Sequence, residues 1–121
     1  MAAVLLALLG TCAMADPNGE VIIGQQVILR IRYPAGGMSI EARVDNITSR
    51  LNRLLGSKSF DLSLITVRRY GNDYGIMYGD NLVVTADAKT AVYNKTTTEA
   101  LAKIWAENLK KVIPLAKAVL P

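Results

Sequence analysis

The sequence has no histidine, one cysteine, one tryptophan and one phenylalanine in 121 residues, and aromatic residues make up only 6% of it. The missing histidine removes imidazole metal sites and the Ser-His-Asp and Cys-His nucleophile arrangements of most familiar hydrolases. Charge is also missing from the first fifteen residues, MAAVLLALLGTCAMA. Their apolar run, Val4 to Leu9, is far shorter than the ~20 residues a membrane-spanning helix needs. It fits a signal peptide, because it is followed by the small-x-small pattern Ala13-Met14-Ala15 and then by the helix-breaking Asp16-Pro17-Asn18-Gly19. Cleavage is expected between Ala15 and Asp16, which divides the chain into a signal peptide, 1–15, and a single domain, 16–121. No Lys or Arg precedes the apolar run, a departure that fits a translation start further upstream. The lone cysteine, Cys12, falls inside the leader, where Leu9-Gly10-Thr11-Cys12 is an alternative lipidation site with an unusually bulky Thr before the Cys. Once the leader is removed, neither a disulfide nor a thiolate site can form.

What remains has the composition of a globular protein: 51% hydrophobic and 20% charged residues. Fourteen Lys and Arg against ten Asp and Glu give a formal charge of +4, all of it beyond the leader. The positive residues are spread from Arg30 to Lys117 instead of clustering with aromatics, which argues against nucleic acid and for a weak pull toward anionic headgroups.

Period-two alternation in VIIGQQVILRIR, interrupted by Gly24-Gln25-Gln26, predicts a short strand at 20–23, a turn, and a longer strand at 26–33. In that strand Val27, Leu29 and Ile31 form one face, and Arg30 and Arg32 face water. Ser39 stands at an N-cap position, and Ile40, Val44, Ile47, Leu51, Leu54 and Leu55 recur at helical spacing, with Arg43, Asn46, Arg50 and Arg53 opposite and Gly56-Ser57 as the stop. Three β segments, 61–70, 74–78 and 82–86, are separated by Gly-Asn-Asp and Gly-Asp-Asn turns and read as an antiparallel meander. A polar connection, 87–98, leads to a last helix with Thr96 and Glu99 at capping-box spacing. Its buried side is expected to carry Leu101, Ile104, Trp105, Leu109 and Val112, and Pro114 to end or kink it. The expected fold is α+β: one small antiparallel sheet of four to five strands with two helices packed on it, in the order ββαβββα.

The candidate chemistry is sparse. Asp73 and Asp80 sit in turns at opposite ends of one strand and should point apart, Asp87 reads as a loop anchor, and no calcium-loop spacing is present. No catalytic residue, cofactor or metal is therefore expected, and a hydrolase working with carboxylates alone is the minor alternative. Arg30, Arg32, Arg43, Arg50 and Arg53 would gather an anion or lipid headgroup if they converge, and otherwise form a solvated charged face. Tyr70, Tyr74, Tyr78 and Trp105 read as packing residues. Two glycosylation sequons, at Asn46 and Asn94, would matter only in a eukaryotic secretory pathway.

The order of motifs resembles the extramembrane N-terminal module of small-conductance mechanosensitive channel proteins of cyanobacterial type. Three stretches carry the resemblance: VIIGQQVILRIR with the helix from Ser39-Ile40-Glu41-Ala42-Arg43 to Arg50-Leu51-Asn52-Arg53-Leu54-Leu55; the turn and strand Gly79-Asp80-Asn81 and Leu82 to Ala88; and the last helix, TTEALA with WAENL. It covers about residues 20–113 and implies a non-catalytic module on the outer, periplasmic side of the cytoplasmic membrane, associated with a channel or another membrane partner. The family's pore helices have no counterpart in these residues, so the expectation is a stand-alone relative or the first piece of a longer chain. The alternative is a small exported binding protein for an anion or lipid headgroup. Its oligomeric state is not legible.

Overall fold

In the computed structural model, residues 13–15 and 19–117 are described. The rest of the leader, including Cys12, the segment 16–18 with Asp16, and the last four residues lie outside them. The fold is α+β, built from β1 (Ala13–Ala15), β2 (Glu20–Ile23), β3 (Gln26–Arg30), α1 (Ile40–Leu55), a 3-10 turn (Leu62–Leu64), β4 (Ile65–Tyr70), β5 (Asp73–Tyr78), β6 (Asn81–Ala86), α2 (Ala88–Tyr93) and α3 (Thr98–Lys117). The strands are divided between two three-stranded antiparallel sheets, β1-β2-β3 and β4-β5-β6, instead of being gathered in one. β1 falls within the stretch read as the leader and pairs with β2, Ala13 opposite Ile23 and Ala15 opposite Val21.

All three two-residue hairpin turns begin with glycine: Gly24 (φ 63°), Gly71 (φ 64°) and Gly79 (φ 61°). Among the described residues only Lys95 has positive φ without being glycine, so the second turn residues, Gln25, Asn72 and Asp80, do not. That sign pattern is the type II′ turn, whose twist matches the flanking strands.

The first sheet departs from simple alternation. A bulge shifts the register so that Val21 faces Leu29 while Ile22 faces Val27, leaving Ile28 as the extra residue. The phase changes there, and Ile28, Leu29 and Ile31 are all buried while Val27, expected inside, is exposed. β3 also ends at Arg30 instead of 33.

α1 begins where Ser39 Oγ accepts from the Ala42 backbone N–H at 3.1 Å, and ends at Gly56. Val44, Ile47, Leu51 and Leu55 make its buried stripe. Each such side chain contributes roughly 1.5–3 kcal/mol by leaving water. α3 lies on β4, β5 and β6 and reaches across to β3 and β2, so one core joins both sheets. Asn108 pins this crossing by donating to the Ile28 carbonyl at 2.8 Å. The cap of α3 is Thr97, one residue later than expected: its Oγ accepts from the Ala100 N–H at 3.1 Å, and Glu99 pairs with Lys103 at 3.0 Å. Ile104 is exposed, whereas Leu101, Trp105 and Leu109 are buried as expected. The helix continues through Pro114 to Lys117, held by the buried Ile113 and Ala116. Among the described residues no helix is long and apolar enough to cross a membrane.

Candidate functional site

β6 is an edge strand, and its outward carbonyls need donors that no neighbouring strand supplies. α1 provides them. Arg43 and Arg50 stand about two helical turns apart on one face. Arg50 Nη1 donates to the Val83 carbonyl at 3.0 Å, and Arg43 Nη2 donates to the Thr85 carbonyl at 3.0 Å. Val83 and Thr85 are the alternate residues whose carbonyls point the same way along the strand. Two guanidinium groups thus replace a fourth strand.

Arg43 does more. Its Nη1 donates to the Tyr33 carbonyl at 2.8 Å and to Asp87 Oδ1 at 2.9 Å, in a site where both side chains are almost fully buried. Asp87 in turn caps α2, accepting from the Thr90 N–H and from the Thr90 hydroxyl, each at 2.9 Å. The stretch expected as an irregular polar connection is therefore a short helix anchored by a buried ion pair. Arg43, expected on the solvent face of α1, is 3% exposed, because the charge of Asp87 and two carbonyls offset its desolvation.

Next to this bridge a cleft of about 470 Å³ opens between α1, the β6 edge and the β4–β5 turn. Met38, Ile47, Leu82 and Val84 give it apolar walls, while Arg50, Asn46, Tyr70 and Asp73 bring polar groups to it. Among the described residues Arg50 makes one side-chain hydrogen bond, to the Val83 carbonyl, which leaves its other guanidinium donors for a ligand. Asn46 spends its amide on Met38 Sδ at 3.0 Å. The Asp73 carboxyl is pushed above its ordinary value, first by burial and then by repulsion from Asp87, with Arg43 opposing both. The cleft thus brings the Arg50 guanidinium and the Asp73 carboxyl together over apolar walls.

The five candidate arginines do not form one surface. Arg43 and Arg50 meet at the cleft; Arg30 pairs with Glu20; Arg32 lies 4.1 Å above the ring of Tyr93; Arg53 is in the last turn of α1, exposed. Asp80 reaches only a loose 3.9 Å contact with Arg68, well away from Asp73 at the other end of β5. Tyr78 stacks on Phe60 at 5.2 Å and accepts from the Asp61 N–H, as a packing residue would. Sequence reasoning placed Asp87 as a loop anchor without its partner Arg43, and did not single out Thr85. The Asp87-x-x-Thr90 spacing is a capping signal, but the partnership with Arg43, 44 positions away, has no local signature.

A family model described as a domain of unknown function, DUF8459, matches residues 20–116. No curated protein and no solved structure matches the chain.

Proposed function

We propose, for a chain that belongs to the DUF8459 family, a role as an exported, non-catalytic binding domain whose recognition site is the cleft beside Arg50. Export is supported by the apolar leader and its Ala-Met-Ala end, and a place at the outer side of the cytoplasmic membrane by the resemblance to channel-associated modules. The observation that carries the binding role is the pairing of Arg50, with most of its donors open, and an apolar wall of Ile47, Leu82 and Val84 in one cleft. That combination suits a compact ligand with an acidic head and an apolar body.

Calorimetric titration with octanoate and, separately, with inorganic phosphate tests this reading on the full chain. Octanoate should bind measurably and lose about tenfold in affinity on Arg50→Leu, the size of effect expected for one charge-assisted contact. Tighter binding of phosphate than octanoate would favour a bare anion site, and no heat with either would remove the cleft from consideration.

A further inference from the structure

A second face of the molecule, lined by none of the cleft's residues, carries side chains that a water-facing surface does not need. Where β3, α2 and α3 meet, Val92 is 75% exposed, Tyr93 and Ile104 are each 54% exposed, and Val27 is 47% exposed. Val27 and Ile104 flank a shallow groove of about 280 Å³ that also holds Arg30, Arg32 and Asn94. Val92 and Tyr93 border a flatter hollow of about 460 Å³ with Tyr33 and Lys89. Tyr93 joins the two: it meets Tyr33 edge-on at 6.5 Å, and the Arg32 guanidinium sits over its ring. The bulge in the first sheet helps to create this face, because it turns Val27 outward.

We infer that this face docks on an anionic lipid surface. Its aliphatic side chains project outward around a tyrosine, and its cations are dispersed among them, Arg32 in the shallow groove and Lys89 beside the flatter hollow. A soluble anion needs convergent donors, whereas a bilayer takes aliphatic groups at the headgroup boundary, aromatic rings at the interface and dispersed cations among its phosphates. Glu20 does not oppose this, since it is paired with Arg30. Arg32 also gains from its position: the Tyr93 ring beneath it holds the guanidinium at the surface, where among the described residues it has no carboxylate partner. The inference goes beyond the binding role of the cleft and stands whether or not the cleft is occupied.

The test is co-sedimentation of the full chain with vesicles of phosphatidylcholine and phosphatidylglycerol in a roughly two-to-one ratio, compared with phosphatidylcholine alone. The double variant Val92→Glu/Ile104→Glu should reduce partition onto the anionic vesicles by about tenfold or more, and added salt should weaken the wild type. A charge-matched control, Arg53→Ser/Lys58→Ser, lowers the net charge equally at exposed positions elsewhere and should leave most of the binding in place. Circular dichroism checks that both variants are folded. Equal loss in both variants, or wild-type binding by the double variant, would overturn the assignment. So would sedimentation equilibrium showing that the double variant abolishes self-association of the wild type without vesicles, because the face would then be an interface between copies.

Discussion

Arg43 and Asp87 illustrate how one residue pair can hold several elements at once. The pair joins α1 to the start of α2, caps that helix, and supplies donors to the Tyr33 and Thr85 carbonyls. Removing one partner leaves the other charged and buried, so Arg43→Met should cost about 3–5 kcal/mol in urea unfolding. The double variant Arg43→Met/Asp87→Leu should recover part of that loss, since no charge is then stranded. Asp73 acts on stability through pH. Its folded-state pKa is raised, so the folded chain holds the proton more tightly than the unfolded chain. Stability from this residue therefore falls as pH rises from about 4, the ordinary carboxylate value, through the raised one. Asp61, lowered by its hydrogen bonds from the Ser63 hydroxyl and N–H, and Glu99, lowered by Lys103, contribute in the opposite direction, their stabilisation being lost as pH falls. Unfolding curves of Asp73→Asn and wild type across that range isolate the Asp73 part. The variant should be the more stable near neutral pH, and the two should converge at low pH.

Among the elements, the hairpins and α1 were legible because their causes are local: glycine followed by a polar residue fixes each turn, and Ser39 with an apolar stripe at helical spacing fixes the helix. What was not legible depends on distant partners. The bulge at Ile28 is a register choice between β2 and β3 and cannot be read from alternation in β3 alone. The short helix α2 exists because Asp87 can be buried against Arg43, and Thr97 rather than Thr96 caps α3 because the chain leaving α2 sets where the last helix starts. Gly19 shows the same coupling in a testable form. It has φ of 84°, its carbonyl accepts from the Ile31 N–H at 2.8 Å, and a β-carbon there would lie inside van der Waals contact of the Ile31 carbonyl oxygen. Gly19→Ala should thus cost more than ~2 kcal/mol, beyond the 1–2 kcal/mol of the left-handed conformation itself. Gly71→Ala, with a similar φ but open space around it, should cost about the conformational part only. Thermal unfolding of the two variants side by side measures the difference.

At the scale of the whole molecule, two regions of the surface stand out. The cleft gathers Arg50 and Asp73 over apolar walls, and the face around Tyr93 offers aliphatic groups and cations to a flat partner. Reading five arginines as a single set concealed this, because the positions are spaced along the sequence without indicating which the fold brings together. Arg43 and Arg50 turn out to close a sheet edge, Arg32 to ride on a tyrosine, and Arg30 to neutralise Glu20. The N-terminal stretch adds a further point of contact between processing and fold: cleavage after Ala15 would strip β1 from β2 and leave β2 as the sheet's edge, while the family match begins at residue 20. The cleft is the proposed place of recognition. This is tested most directly by a two-dimensional nitrogen–proton NMR titration of the full chain with octanoate. Shifts concentrated at Ile47, Arg50, Leu82 and Val84 are expected, whereas shifts confined to the Arg32, Val92 and Tyr93 face, or spread over the whole chain, would rule out recognition at the cleft.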